Sequence, residues 1–569
     1  MRPRFASALL AVTAVLQVAA SLPALAQPYT EVQRTSFYVA VRDGTRLAMD
    51  LLRPMRDGQP VAERLPVIWQ GTVSRRLPPD QAPDTAIRTM PELAKAGYVV
   101  ALVDRRGAGS SFGARRGYND RTEARDAFDI TEWLARQPWS SGQVGVFGCS
   151  NTGDAAMHAA TLMPPSLKAV FAGCFSFSKY DGFLRGGIHA NWGSGVERRV
   201  EEDLKNPPVD GPAGPELLRQ AVDDHRRNGP LAAMWRGMPF RDSWTDFTAS
   251  RFWLEGSAGT YREAFVRSGV GLYIFGGFDD DFRREGLVAF ANLAPLPRKL
   301  TLGPWTHCRN DGFDLRGEAQ RFFDHFLKGV DSGLMQEPAV RFHVRGAPPE
   351  QAWRRAGSFP PPGVQPRELA LALQGDGSSH ALGGTPRSER ASLAVQRPRA
   401  CGNERSSQAT PCSQAGLGLS FDSEALPHDT ELVGHPQLRL WISTRGTDAN
   451  VFAYLESVAP DGRSTVHGEG RLKASLRRTV HPPLDNLGLP WHRALEEDHQ
   501  PLADGQPVEL HFALLPVSVR VPAGHRLRLT ITGADPRERV PPASGQVITV
   551  HADARRPSVL TLPVLPLAP

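Results

Sequence analysis

The chain has 569 residues, 41% of them hydrophobic, and a formal net charge of +6 at pH 7. It is too long for one ordinary domain, since domains centre on about 100–150 residues, and long enough to bury a large core. The positive charge is spread along the chain without a basic block, which argues against nucleic acid as a partner.

At the N-terminus, Arg2 and Arg4 precede an apolar stretch from Ala6 to about Ala20, and Ala24-Leu25-Ala26 is followed by Gln27. A charged start, a short apolar middle and small residues at the junction predict a signal peptide over 1–26 and a periplasmic or secreted mature protein. The stretch is shorter than the roughly 18–20 residues that span a bilayer, and no later segment is long and apolar enough, so no membrane partner is expected.

Residues 27–177 alternate buried strands with amphipathic helices. Apolar runs at Val67-Ile68-Trp69, Tyr98 to Val103, Val144 to Phe147 and Ala169 to Ala172 bracket helical patterns such as Glu123 to Leu134. Continuous apolar strands between helices predict an α/β fold with a parallel sheet covered on both faces. Residues 178–265 carry helical stretches such as Pro215 to Arg227 and few strand signals, which predicts an inserted helical cap over the strand ends, where ligands bind. Two further buried strands, Gly271 to Phe275 and Lys299 to Leu302, complete the core over 266–335. From 336 to 569, alternating strands such as Gln437 to Ile442 and His525 to Ile531 predict an all-β domain, a sandwich or jelly roll, with a loop-rich stretch over 357–430.

The sharpest local signal is Val144-Gly145-Val146-Phe147-Gly148-Cys149-Ser150-Asn151-Thr152-Gly153. A buried strand runs into Gly-x-Ser and then a helix, the setting of a nucleophile elbow that lifts a serine hydroxyl clear of the backbone. The Asn151 amide at the helix N-terminus is then a candidate oxyanion donor. In that register Cys149 points away from the apex and reads as a small buried residue. A serine needs a base, and the base needs an orienting acid. In this fold class the acid and the histidine follow late strands, in that order. Gly276-Gly277-Phe278-Asp279-Asp280-Asp281 follows one such strand, and Gly303-Pro304-Trp305-Thr306-His307 follows the next. Spacing alone does not choose among the three aspartates.

Five cysteines remain. Cys401 and Cys412 flank a short polar stretch and suit a local bridge, while Cys149, Cys174 and Cys308 leave one thiol over. None has the C-x-x-C spacing of a structural zinc site. No metal and no organic cofactor are expected.

These stretches resemble the cocaine-esterase and X-Pro dipeptidyl-peptidase family, which also includes α-amino-acid ester hydrolases and glutaryl acylases. The likeness rests on Asp104-Arg105-Arg106-Gly107-Ala108-Gly109-Ser110, Glu132-Trp133-Leu134 with Gln137-Pro138-Trp139, the elbow, Gly277 to Phe282 and Gly303 to His307. Val458 to Arg463 and Gly524-His525-Arg526-Leu527 extend it into the β domain. The resemblance implies an α/β-hydrolase core, a helical cap and a C-terminal jelly roll. It selects Asp280, and so implies a catalytic triad of Ser150, Asp280 and His307. It also points to a substrate pocket near Trp305, Phe282 and Arg283.

Three departures stand out. Asn151 replaces the family's tyrosine after the nucleophile, where only the backbone amide is needed. Ser74 falls where the family places a tyrosine hydroxyl in the oxyanion hole. Phe282 and Arg283 stand where relatives that bind an α-ammonium group carry acids. An Arg283 guanidinium facing the acyl pocket would favour a carboxylate-bearing group such as glutaryl. The alternative is that Arg283 and Arg284 face solvent or pair with Asp279 and Asp281.

The expected activity is hydrolysis of a small-molecule ester or amide through an acyl-enzyme. The competing expectations are an X-Pro dipeptidyl-peptidase or β-lactam acylase on the same triad, and a non-catalytic carbohydrate-binding protein. A homo-oligomer is compatible with the sequence.

Overall fold

The computed structural model describes residues 28–73, 76, 89–190, 200–375, 377–402, 411–538 and 545–567. The leader expected over 1–26 and Ser74 lie outside the described residues.

Among the described residues the N-terminal unit is built on an eleven-stranded sheet, ten strands in sequence across it and the two-residue strand Gln59–Pro60 paired to the end of the second. Its strands and principal helices, in chain order, are β1 (Glu31–Ala40), β2 (Arg46–Arg56), β3 (Leu65–Thr72), α1 (Thr89–Lys95), β4 (Val99–Asp104), α2 (Arg121–Ala135), β5 (Ser140–Cys149), α3 (Asn151–Ala160) and β6 (Leu167–Gly173). They continue with β7 (Gly271–Asp279), α4 (Arg283–Asn292), β8 (Arg298–Thr306), α5 (Leu315–Lys328), β9 (Val340–His343) and β10 (Trp353–Ala356). The spatial order is β1-β2-β4-β3-β5-β6-β7-β8-β9-β10. The pairs from β4 through β9 are parallel, and the two ends of the sheet are antiparallel.

The parallel strands are apolar at nearly every position because both faces are covered. Successive side chains point to opposite faces. Val67, Trp69, Val144 and Val146 join one core with Ile130 and Leu134 of α2 and Leu287 and Val288 of α4. Their neighbours Ile68 and Phe147 join a second core with Met90 and Leu93 of α1 and Phe322 and Phe323 of α5. The crossover helices thus lie on both sides of the sheet.

Between β6 and β7 the chain forms short helices, among them Lys179–Phe183, Gly214–Asp224, Leu231–Gly237 and Phe252–Glu255. Their aromatic residues Tyr180, Phe183, Trp235 and Trp253 pack into one cluster that also takes in Phe282. The inserted segment therefore rests on the loop that follows β7.

Residues 365–565 form a thirteen-stranded, mostly antiparallel unit around its own apolar core. Two features differ from the sequence expectation. Strands Gln365–Ala372, Ser379–Leu382, Arg390–Ala394 and Leu419–Asp422 occupy the stretch read as loop-rich, their apolar positions being few and interrupted by Gly and Pro. Residues 340–356, placed with the β domain by their alternation, instead extend the first sheet. Leu300, Thr301 and Leu302 of β8 pair in parallel with Val340, Arg341 and Phe342, and β10 closes the edge. Alternation reports a strand with two unlike faces; it does not say which sheet takes the strand.

Candidate active site

Strand β5 ends at Cys149 and α3 begins at Asn151, so Ser150 alone makes the turn. It does so at φ 62° and ψ −126°, a conformation that costs a non-glycine residue energy and tends to be kept at functional sites. The surrounding hydrogen bonds fix it. The Ser150 amide donates to the Gly173 carbonyl at 3.0 Å, and the Asp154 amide donates to the Ser150 carbonyl at 2.8 Å. Close packing explains two of the elbow glycines. A Cβ on Gly148 would overlap the Thr152 carbonyl, and one on Gly153 would overlap the Gly173 carbonyl. Thr152 ties the turn from below, its hydroxyl accepting from the Cys149 amide at 2.7 Å and donating to the Cys149 carbonyl at 2.8 Å. Ser150 itself is half-buried, so its hydroxyl is not sealed in the core.

Asp280 lies just past β7 and His307 just past the neighbouring β8, and both are buried. The Asp280 carboxylate stands 3.1 Å from His307 Nδ1 and also accepts from the Phe282 amide at 3.0 Å. Burial alone would raise this carboxyl. The His307 imidazole, the Cys174 thiol and the Phe282 amide together hold it below its ordinary value. The two flanking aspartates face elsewhere. Asp279 pairs with Arg345 at 2.7 Å, and Asp281 lies 3.7 Å from both Arg185 and Arg537.

A disulfide joins Cys149 to Cys308 with their Cα atoms 5.9 Å apart. It links the residue before Ser150 to the residue after His307, and consecutive Cα atoms are about 3.8 Å apart, so the Cα atoms of the serine and the histidine lie within about 14 Å of each other. Cys149 is buried as expected, but as half of a cross-link. Sequence reasoning left this pairing open because it spans 159 residues. Cys174 is the remaining buried thiol, and Cys401–Cys412 is the local bridge. Cys174 and Cys308, like Ser150, have positive φ, at 50° and 57°.

Asn151 is the first residue of α3, and its side-chain oxygen accepts from the Val73 amide at 3.4 Å. Its own amide lies in the first turn of the helix, where N–H groups lack intrahelical partners. Phe282 sits at the site, its ring centroid 5.5 Å from the His307 imidazole. Two sequence-assigned pocket residues are placed differently. The Trp305 indole is 2% exposed, packs against Phe313 and Trp353, and donates to the Asp311 carbonyl at 3.1 Å, so it belongs to the packing between strands. Arg283 is buried, with its guanidinium donating to the Pro516 carbonyl at 3.1 Å and the Asp280 carbonyl at 3.3 Å. It neither faces an acyl pocket nor reaches solvent, because a buried guanidinium takes whatever backbone acceptors surround it. Arg284 is held by Glu285 and Asn486.

Comparison with known proteins agrees with this layout. The family model of the X-Pro dipeptidyl-peptidase (S15 family) matches residues 43–309. That of the X-Pro dipeptidyl-peptidase C-terminal non-catalytic domain matches residues 332–561. A Mycobacterium bovis protein named as a serine esterase is 30% identical over 94% of this chain and 96% of its own length. The cocaine esterase of Rhodococcus sp. is 24% identical over 93% of this chain and 97% of its own. Among solved structures, a CocE/NonD family hydrolase from Staphylococcus aureus superimposes with a TM-score of 0.73 at 19% identity, covering 94% of both chains. The chain is a serine hydrolase and belongs to the X-Pro dipeptidyl-peptidase (S15) family, with the CocE/NonD-type fold and the family's strand-rich C-terminal domain.

Proposed function

We propose that the protein is an exported esterase that cleaves a small-molecule carboxylic ester through an acyl-enzyme on Ser150, with His307 as base and Asp280 as the acid that orients it. The observation that carries this reading is the joint placement of the three. Ser150 stands on a strained strand-to-helix turn, the Asp280 carboxylate is 3.1 Å from His307 Nδ1, and a disulfide ties the neighbour of the serine to the neighbour of the histidine.

In this mechanism the Asp280 carboxylate accepts a hydrogen bond from Nδ1–H of His307, which holds the tautomer with Nε2 unprotonated and able to take the Ser150 proton as the oxygen attacks the ester carbonyl. The imidazolium then returns that proton to the departing alcohol, and the buried carboxylate stabilises the imidazolium meanwhile. The Asn151 amide at the start of α3 supplies one oxyanion donor, and Ser74 is the proposed second. Water repeats the sequence on the acyl-enzyme and regenerates Ser150. The helical segment over 178–265 acts as a cap on the acyl site, and the C-terminal strands form a jelly roll. Export rests on the leader pattern of 1–26, and two disulfides suit an oxidising compartment.

Esters are favoured over peptides for two reasons. Relatives from Mycobacterium and Rhodococcus that align in sequence over more than nine-tenths of this chain are named esterases. The positions where an ammonium-binding pocket would carry acids hold Phe282, packed on His307, and Arg283, bonded to backbone carbonyls.

The test is a panel of nitrophenyl esters, β-lactams and dipeptidyl nitroanilides given to the purified protein and to Ser150→Ala. Ester hydrolysis and fluorophosphonate labelling are expected for the wild type. Both should be lost in the variant, by about 10⁶-fold in turnover where a nucleophile is removed cleanly. Retained ester hydrolysis in Ser150→Ala would defeat the assignment.

A further inference from the structure

Three cysteines far apart in sequence meet at the site. Cys149 closes β5, Cys174 follows β6, and Cys308 follows β8. Their sulfurs all lie within 4.8 Å of one another, and the Cys174 sulfur lies equally close to the reactive atoms of Asp280 and His307. Cys149 and Cys308 are bonded to each other, and the Cys308 amide donates to the Cys174 sulfur at 3.3 Å.

We propose that the Cys149–Cys308 disulfide is a positioning clamp for the reaction, fixing His307 against Ser150, and that opening it by a dithiol reductant lowers turnover while the fold persists. The inference rests on the Ser150–Asp280–His307 reading. Neither cysteine touches substrate; each acts through its chain neighbour.

Three physical points carry it. First, the β5–α3 turn and the loop after β8 approach from strands that are not adjacent, since β6 and β7 lie between β5 and β8. No ladder joins β5 directly to β8, so the cross-link is the direct covalent tie between the two loops. Second, both Ser150 and Cys308 are held at positive φ, a backbone state that relaxes unless the surroundings over-determine it. Third, the clamp is protected against internal exchange. The Cys174 thiol is in reach of both sulfurs, but burial and then the Asp280 charge push it well above its ordinary value, so the attacking thiolate is withheld.

The chemistry balances with an external dithiol. Its two sulfurs give up two electrons and two protons and close into a cyclic disulfide; the Cys149–Cys308 bond breaks, and each sulfur gains a proton. Half-buried Cys308 is the accessible end. The core itself does not depend on the bond, because the hydrophobic clusters on both faces of the sheet hold the strands together.

The experiment compares three proteins. They are the full chain, a Cys401→Ser/Cys412→Ser chain that lacks the remote bridge, and a Cys149→Ser/Cys308→Ser chain. Each is assayed on nitrophenyl acetate and with a fluorophosphonate probe, before and after dithiothreitol, with iodoacetamide and peptide mass mapping to locate the opened bond. In the first two proteins, opening Cys149–Cys308 should lower kcat and labelling rate between roughly tenfold and a hundredfold, the scale of a small misplacement of reacting groups. KM should move far less, the melting transition should persist, and oxidised glutathione should restore activity. The Cys149→Ser/Cys308→Ser chain should be equally slow and indifferent to dithiothreitol. The clamp is overturned if this chain, or the opened wild type, turns over within about twofold of the oxidised wild type. It is also overturned if activity is lost only together with the melting transition, which would make the bond purely structural. A failure of the triad itself is read separately, as hydrolysis that survives Ser150→Ala in the oxidised protein.

Discussion

Replacing each of the three consecutive aspartates by asparagine should give three different phenotypes. The Asp280 side chain is 1% exposed, and its carboxylate faces His307 Nδ1 at 3.1 Å. An amide there offers N–H or C=O in place of a charge and permits the wrong imidazole tautomer. The loss expected from that is about 10⁴-fold in kcat, or about 5 kcal/mol of transition-state stabilisation. Asp279→Asn removes an ion pair whose side chains are 25% and 33% exposed, a contact worth at most about 1 kcal/mol, and leaves the triad contacts alone. Its kcat should stay within roughly fivefold of wild type. Asp281 lies between Arg185 and the fully buried Arg537. Asp281→Asn leaves that cation less compensated and should cost about 3 kcal/mol of stability, seen as an earlier urea midpoint with most of the specific activity retained. The assay is nitrophenyl ester hydrolysis alongside urea denaturation for all three variants. If Asp279→Asn or Asp281→Asn is the variant that destroys turnover while Asp280→Asn keeps a tenth or more of it, the assignment of the acid is wrong.

Gly148→Ala should fail at the elbow. The new Cβ overlaps the Thr152 carbonyl, which is helix backbone and cannot swing aside, so a loss of about 1–3 kcal/mol is expected together with slower fluorophosphonate labelling. An unchanged urea midpoint and labelling rate would show that the turn is looser than described. Acid should destabilise the protein through buried neutral histidines. Burial and the nearby Lys179 ammonium push His158 from 6.5 down to about 3, and burial with Arg284 and Arg283 does the same to His435. The unfolded chain takes up protons that the folded one refuses. This stability is therefore complete above about pH 6.5 and is lost as pH falls toward about 3, at up to about 1.4 kcal/mol per unit for each histidine. Urea midpoints measured down that range should fall less steeply in His158→Gln/His435→Gln, and an identical slope would refute the attribution.

What was legible in the sequence was local. The elbow announces itself because a buried strand, two close-packed glycines, a serine and a helix are contiguous, and each is required by its immediate neighbours. The parallel sheet was legible because strands covered on both faces must be apolar throughout. The choice among Asp279, Asp280 and Asp281 was not contained in spacing, and came only from the family likeness. It depends on which of three adjacent carboxylates faces a histidine 27 positions later. Arg283 was misplaced for a related reason. A charged residue beside a catalytic acid reads as a recognition group until the structure brings the Pro516 carbonyl, 233 residues away in sequence, against its guanidinium. The Cys149–Cys308 pairing likewise joins two loops that only the completed sheet brings together.

The strand-rich C-terminal region is tied to the chemistry more closely than a separate module would be. Residues 340–356 lie beyond His307, yet β9 pairs with β8, the strand that precedes His307, and β10 closes that edge. The same region holds the acid loop. Three carboxylates in succession repel one another unless cations fix the outer two. Here Arg345, just past β9, takes Asp279. Arg537, itself paired with Asp535 at 2.8 Å and close to Glu469, lies against Asp281. Arg185 of the inserted helical segment bridges Asp281 and Glu469, so all three parts of the chain share this charge cluster. Asp279 and Asp281 are each taken by cations, and of the three carboxylates it is that of Asp280 that faces His307. The two outer carboxylates are thus occupied by cations that take no part in bond making, and most of the residues in this cluster come from beyond residue 336.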